Sequence, residues 1–433
     1  MRGVSFIFIV SFGLLYAQSY KEILKGVSKT PAIKSIELLA KASSQIYKST
    51  KANEYPTIEL NAFGSWLKET PKLILNTGFT PSSSFPMGKT RKFTAELKLS
   101  YPLFTGFAIS AQIKKAKLNS KRAKLKVLDA KRNLFLKATE LYGAIKSSNE
   151  AIKALKEAKR AMLLALKKAQ GFYKNSLISS ADLYNIKARV YDIETLLFEA
   201  VAKRKKLLNT LSYISAEHIE YLKGEITAPK IPPSKRLKEI AYKNRADIRA
   251  LKILLEISSQ DIALAKSEYY PKVAINASLK RQGDSLSLNG DGFTNANRSY
   301  LGLGVSYDIF DGGKREHTLE ATRYKRLSRA NALLDYKERV FSKIDNAYIE
   351  LKALYSKLKS AKMRLKAQRE YYRLTRAKFN NQLVSSDELS RSIADLANAK
   401  ANKATIDNLI RVQKAKIWLL SGVESFEEKI GIR

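Results

Sequence analysis

The sequence has no cysteine, so no disulfide framework and no thiol chemistry are available to it. It has two histidines, His218 and His317, far apart in the chain, and its patterns include no HExxH, no P-loop, no GxSxG and no GxGxxG. Catalysis therefore has little to stand on. Acidic residues are scarce, 40 Asp and Glu against 79 Lys and Arg, for a formal net charge of +39. Such a balance ordinarily suggests nucleic acid or anionic membrane. Here the basic residues are spread along helical segments, as in Lys114, Lys115, Lys117, Lys121 and Lys124, with no recognition motif among them. Beyond the first residues no apolar run approaches the ~18 residues of a membrane-spanning helix. Proline is absent from Gly106–Phe172 and again from Gly312–Phe379.

Those two proline-free stretches dominate the chain. Each is helix-permissive for about 66 residues, or ~100 Å at 1.5 Å per residue. Such a rod cannot fold into a compact core of its own and must pack along other rods. Ile152, Leu155, Ala158, Met162 and Ala165 recur at three- and four-residue spacing, the pattern of a bundled or coiled-coil helix.

The two stretches are copies. A shift of 206 positions carries Phe104-Thr105-Gly106 onto Phe310-Asp311-Gly312, Tyr142 onto Tyr348, and Leu177-Ile178-Ser179-Ser180 onto Leu383-Val384-Ser385-Ser386. A second shift, of 215, carries Tyr55-Pro56 onto Tyr270-Pro271. The register changes between the strands of each copy, so the first loop is the longer one, and length changes belong in loops. An internal repeat outranks local signals in fixing an architecture.

In chain order, residues 1–17 read as a secretory signal peptide: Arg2, an apolar Val4–Leu15, and a small residue at Ala17. No cysteine follows it, so no lipid-anchor site exists. The first repeat, 18–216, opens with a helix over about 20–54 that Tyr55-Pro56 ends, since the residue before proline is pushed out of the helical region. Alternating strands are expected at about 57–66 and 92–101, separated by a Pro/Ser/Gly-rich loop at 67–91 and closed by Pro102. A long helix over about 106–173, a tip and a helix over about 182–214 complete it. A proline-bearing linker spans 217–240. The second repeat, 241–422, follows the same plan: a helix opening at Asn244-Arg245-Ala246-Asp247, strands at about 272–281 and 299–309, a long helix at about 312–379, a tip, and a helix at about 387–420. A short charged tail, 423–433, ends the chain.

Four strands of about 10 residues match a tilted transmembrane strand. An open four-stranded sheet with one apolar face leaves unpaired edges that lipid does not tolerate. Closure must come from further chains: two give a filled eight-stranded barrel, three give twelve strands and room for water. A periplasmic or surface coiled-coil protein without a channel is the rival reading, but a rod has no use for four strands with an apolar face.

The duplicated order of Phe104-Thr105-Gly106, Tyr270-Pro271, Asn244-Arg245-Ala246-Asp247 and the paired tips resembles the TolC family of outer-membrane efflux and secretion ducts, over nearly the whole chain after residue 17. The family commonly has proline where Ala246 stands. The resemblance implies a mixed α+β membrane protein with two internal repeats. It implies a trimeric, 12-stranded outer-membrane β-barrel, four strands per chain, continuous with a long periplasmic α-helical coiled-coil tunnel. It further implies the outer membrane of a Gram-negative-type bacterium with most of the mass in the periplasm, and no enzyme activity, cofactor or metal. The implied partners are two further copies in a homotrimer, a periplasmic adaptor protein, an inner-membrane pump and outer-membrane lipid.

Carried over by position, the tips Asn175, Ser176, Leu177, Ile178, Ser179 and Asn381, Gln382, Leu383, Val384, Ser385 would meet the adaptor, or simply connect two helices. Family tips usually have glycine where Ser176 and Gln382 stand, so Asn175 and Asn381 are expected to supply the left-handed residue. Asp182 and Glu388 match acidic positions that ring the family's periplasmic mouth; as residues near helix starts they equally read as caps. The family's second acidic ring falls at Arg391, which opens the alternative of a Glu388–Arg391 ion-pair collar. The tyrosine and arginine that hold some members closed fall at Phe379 and Val384.

Overall fold

The computed structural model describes residues 17–75, 78 and 83–432. The expected signal peptide lies outside them except for Ala17, which opens the first strand. The described residues form two compact units. One holds those up to Leu39, Lys124–Ala250 and those from Leu333 onward; the other holds Ala40–Ala123 and Leu251–Ala332.

The elements run in this order: β1 (Ala17–Ser19), α1 (Tyr20–Val27), α2 (Pro31–Lys51), β2 (Thr57–Trp66), β3 (Lys72–Leu75), β4 (Ser83–Pro86), β5 (Arg91–Thr105), α3 (Ala108–Lys174) and α4 (Ser180–Ser215). The second half continues with β6 (Tyr221–Lys223), α5 (Ser234–Asn244), α6 (Ala246–Ser267), β7 (Lys272–Gly283), β8 (Tyr300–Ser306), α7 (Lys314–Asn380), α8 (Ser386–Ser421) and α9 (Val423–Ile430). The two long helices have the same length, 67 residues each, and the two returning helices 36 each. The duplication seen in the sequence is therefore a duplication of structure.

Several elements depart from the expected plan. The helix expected over 20–54 is two helices, because Thr30 caps a new start: its hydroxyl accepts from the Ile33 amide at 3.5 Å, and Pro31 takes the first helical position, where no amide is needed. Pro102 does not close the second strand. β5 runs on to Thr105, and the chain absorbs Pro102 with a register shift between Pro102 and Phe104 against β7. The 67–91 loop holds a small hairpin of its own, Lys72–Leu75 against Ser83–Pro86. The fourth strand stops at Ser306, short of 309. The tail is not merely charged: α9 buries Val423, Phe426 and Ile430.

The larger sheet has the order β2-β5-β7-β8, every pair antiparallel, with β2 and β8 as its two edges. Its registers set one kind of residue on each face. Ile58, Leu60 and Ala62 stand opposite Leu99, Leu97 and Ala95, and Val273 and Ile275 stand opposite Val305 and Leu303. Leu60, Leu279, Leu301 and Leu303 are all exposed, so the chain itself leaves this apolar face uncovered. The other face pairs Glu59 with Lys98 and Glu96 with Lys280 across strands. On that face Ser278 donates to Glu96 at 2.7 Å and Ser100 to Asn276 at 3.1 Å.

The helical unit has two apolar cores. The first packs Tyr20, Ile23 and Leu24 of α1 against Phe135 and Tyr142 of α3, with Leu211, Val340, Ile344, Ile417 and Phe426 among the rest. Over it runs the linker, held by its carbonyls: Tyr142 donates to Lys223 O at 2.8 Å, Trp418 to Pro229 O at 3.2 Å, and Tyr348 to Pro232 O. Tyr142 and Tyr348 are repeat equivalents, and each secures a different part of the same linker. Burial pushes the Tyr348 phenol up to about 12, so both stay protonated donors at neutral pH.

The Asn244-Arg245-Ala246-Asp247 stretch explains itself here. Arg245, 3% exposed, donates to Leu420 O at the end of α8 at 3.0 Å and clamps Asp247 through Nε and Nη2. Asp247 also accepts from Tyr336 of α7 at 2.8 Å and Arg132 of α3 at 3.4 Å. Asn244 reaches Ser425 of α9 at 3.1 Å. One four-residue stretch thus ties the start of α6 to four other helices.

Candidate functional site

The two tips are built alike, atom for atom in the backbone. In the first, Ser176 N donates to Tyr173 O at 2.9 Å and Leu177 N to Phe172 O at 2.9 Å, the double bond of a helix end closed by a left-handed residue. In the second, Gln382 N donates to Phe379 O at 3.1 Å and Leu383 N to Lys378 O at 2.9 Å. The left-handed residues are Ser176 (φ 58°) and Gln382 (φ 61°), not Asn175 and Asn381. The asparagines are a residue too early for the closing bonds. Asn175 instead turns its side-chain amide to Gly171 O at 3.0 Å.

Each returning helix then starts on a serine cap. Ser179 Oγ accepts from the Asp182 amide at 3.1 Å, and the Asp182 carboxylate accepts from the Ser179 amide at 3.3 Å. Ser385 Oγ accepts from the Glu388 amide at 3.3 Å. Asp182 is thereby committed to its own cap. Glu388 is not; its carboxylate accepts from Tyr371 of α7 at 3.3 Å.

The tip residues divide by direction. Leu177 and Leu383 are exposed at equivalent positions, one on each tip. Ile178 and Val384 pack partly into a second apolar core, with Met162 and Ala169 of α3, Ile186 and Val190 of α4, and Ile393 of α8. Phe379 is buried in that core and meets Phe172 edge-on, ring centroids 5.8 Å apart. Within the chain, Phe379 and Val384 hold the two hairpins together.

Arg391 pairs with Asp387, one turn back on the same helix, at 2.8 Å, and Arg189 of α4 reaches the same carboxylate at 3.4 Å. A Glu388–Arg391 pair does not form within the chain. Asp387, Arg189 and Tyr371 were not singled out by sequence reasoning. Asp387 was within reach of it, lying four residues before Arg391 on a helix. Arg189 lies 198 residues away from its partner, and no local pattern marks it.

Among the described residues no helix is long and apolar enough to cross a membrane, and no group of three or more acidic or histidine side chains is placed to hold a metal. His218 lies exposed beside Glu220.

The sequence profile described as Outer membrane efflux protein matches residues 27–216 and 237–423, one repeat each. No curated protein sequence matches. Among solved structures, CusC superposes with a TM-score of 0.79 at 13% identity, over 94% of this chain and 93% of that one. The CmeC outer membrane channel of Campylobacter jejuni gives 0.77 at 14% identity, over 95% and 88%. The outer membrane protein VceC of Vibrio cholerae gives 0.75 at 14% identity, over 93% and 96%. These identities speak to the fold, which is that of TolC-like channels with two repeats. The profile match over both repeats settles the rest: the chain belongs to the outer membrane efflux protein family.

Proposed function

We propose that three copies of this chain form an outer-membrane duct, the passive exit of an inner-membrane pump. The observation that carries this is the sheet. Its four strands have a coherent apolar face that the chain leaves bare, a polar face, and two unpaired edges. In lipid the apolar face is satisfied by acyl chains, but the edges need partners. Three copies supply twelve strands and a lumen wide enough for water, lined by the face that carries Glu59, Lys98, Glu96 and Lys280. The long helices continue as the periplasmic tunnel.

The tips are the end that meets a periplasmic adaptor. Leu177 and Leu383 offer it two equivalent apolar knobs, set on caps of the same geometry. The mouth is ringed by polar groups: Glu388, Asp182 and the Arg189–Asp387–Arg391 cluster. Phe379 and Val384 act from within, fixing how the two hairpins lie against each other. The duct carries out no chemistry of its own; substrate choice rests with the pump that feeds it.

The repeat also sets how the barrel closes. β8 is the copy of β5 by a shift of 206, and β2 is the copy of β7 by 215. Within the chain Leu99 stands opposite Ala277. Transposed, Val305 of one copy stands opposite Ala62 of the next. Directly opposed Cβ atoms lie ~5 Å apart, within disulfide reach. The chain has no native cysteine to interfere. Ala62→Cys with Val305→Cys, oxidised in outer-membrane vesicles, is expected to give a ladder that ends at three chains. A folded protein that stays monomeric, or a ladder that runs past three, would sink the closed trimer.

A further inference from the structure

The larger sheet is charged differently at its two ends. Where its strands join the helices, the turns at 52–56, 106–107, 268–271 and 307–313 carry Glu54, Glu268, Asp308 and Asp311 and no lysine or arginine. At the other end, residues 67–92 carry Lys68, Lys72, Lys89, Arg91 and Lys92 against Glu69 alone. The connection from β7 to β8 is balanced, with Asp284 and Asp291 against Arg281 and Arg298. The chain as a whole has about two basic residues for each acidic one, so turns without a single base are the exception, and the loop end stands out as the cationic pole of the sheet.

Two of the arginines at that end stand on the apolar face. Arg91 is directly opposite Trp66, in the register that sets Ile58 opposite Leu99. Arg281 is directly opposite Ala95 and two residues from Leu279 on its own strand. The period of two along a strand puts both on the bare apolar side. Trp66, also exposed, meets Phe93 edge-on there, ring centroids 5.4 Å apart. Aromatic rings at the edge of an apolar band mark the level of lipid headgroups. Both arginines are exposed, and among the described residues neither forms an ion pair with a carboxylate. By contrast Lys272, at the helix end, pairs with Glu268 at 2.9 Å. The small hairpin of β3 and β4 repeats the combination: Leu73, Ile74 and Phe85 are exposed, and Lys72 stands at its base.

We propose that Arg91 and Arg281 bind the phosphates of an outer-leaflet lipid, a phosphorylated glycolipid of the lipid A class, whose acyl chains lie along the apolar face beside them. The proposal rests on the membrane-embedded sheet of the duct above and names the lipid that covers its outer end. A guanidinium takes a phosphate through two parallel hydrogen bonds, while its aliphatic stem stays on the apolar surface. A phosphate-dense leaflet attracts the basic loop end and repels the acidic turns at the helix end, so the same charges that hold the lipid also set which way the sheet stands. Lys280 and Arg298 take no part. They lie side by side on the polar face, where Lys280 stands opposite Glu96 and the Arg298 amide donates to Lys280 O at 2.9 Å.

The test mixes the full chain, purified in nonionic detergent, with bisphosphorylated lipid A or with the same lipid stripped of both phosphates, and reads bound lipid as mass adducts in native spectra. The expected result is saturable binding of the phosphorylated lipid, weakened about tenfold or more by removal of its phosphates and likewise by Arg91→Gln with Arg281→Gln. Arg91→Lys with Arg281→Lys keeps the charge and most of the binding, and Arg298→Gln leaves it unchanged. Migration of unheated samples on a gel checks that each variant is folded. Equal binding of the two lipids overturns the site, as does a loss in Arg298→Gln equal to that of the double variant. The strand pair Ala62→Cys with Val305→Cys, run on the same preparations, separates this site from the duct. A trimer ladder without phosphate-dependent binding overturns the site alone; phosphate-dependent binding without a ladder keeps the site and removes the trimer.

Discussion

Asp247→Ala is expected to cost about 3–5 kcal/mol of stability, the largest loss from any single side chain in the helical unit. The carboxylate is the shared acceptor of Arg245 at the α5–α6 junction, Arg132 of α3 and Tyr336 of α7. Arg245 is buried, and beyond Asp247 its guanidinium donates to the Leu420 carbonyl and lies in the field of Asp129. Removing Asp247 strips a desolvated guanidinium of its paired carboxylate, and breaking a buried ion pair from one side is far costlier than its net worth. The apparent unfolding temperature of the helical signal in detergent would fall by many degrees. Asp247→Asn, which keeps two polar atoms, would lose less. No change in either variant would mean the network is not holding the unit.

The same carboxylate gives a pH dependence. Burial by itself raises the Asp247 carboxyl, but Arg245, Arg132 and Tyr336 outweigh burial and hold it down at about 2. A depressed carboxylate contributes stability that is complete above its ordinary value near 4. That contribution drains as pH falls through the folded value. On the order of 2 kcal/mol is lost between about pH 4 and pH 2. Asp247→Asn should flatten that part of the acid-unfolding profile.

Gly106 gives the second large effect. It sits at the turn between β5 and α3 with φ 60°, where a Cβ would fall 2.4 Å from the Ser267 carbonyl oxygen and 2.8 Å from Tyr270 Cβ. Both neighbours are close to or part of the backbone, so neither can swing aside. Phe104, Phe107 and Tyr270 form an edge-on aromatic cluster around the same turn, with centroid distances of 5.3–6.3 Å. Gly106→Val is expected to cost about 2–5 kcal/mol, from left-handed strain plus overpacking. Its repeat equivalent, Gly312, also has positive φ, 67°, yet nothing among the described residues lies within 4 Å of where its Cβ would be. If copies repeat the in-chain contacts, the missing neighbours are Ala52 and Tyr55 of the next chain. Gly312→Val should then fold better than Gly106→Val but fail to assemble. Melting of the isolated chain and migration of unheated against heated samples on a gel separate the two effects.

That contrast shows what the sequence carries and what it does not. The duplicated helices were legible because a proline-free stretch of such length has few alternatives, and because matched residues recur without gaps. The strands were legible from alternation, as at Phe93 to Tyr101. Their ends were not: Pro102 lacks a donor, but it falls at an irregularity where β5 and β7 shift register, and the strand runs on past it. The left-handed residue at each tip escaped because propensity favours asparagine, while the helix-closing bonds fix the position at Ser176 and Gln382. α9 was hidden by its charges, one of which, Glu427, lies on the buried side with Val423, Phe426 and Ile430 and is neutralised by Lys131 of α3. The Arg189–Asp387 contact joins two repeats and leaves no periodic trace in either.

Single-channel recording of the purified wild-type protein in a planar bilayer tests the central claim most directly. The account expects discrete, stable conductance steps of one size, carried by trimers and altered in size or in block by divalent cations when Glu388→Ala removes the Glu388 carboxylates from the mouth. Steps unchanged by that substitution would keep the duct and move its constriction away from the tips. Protein that is folded and trimeric by every other measure, yet passes no current, would contradict the account.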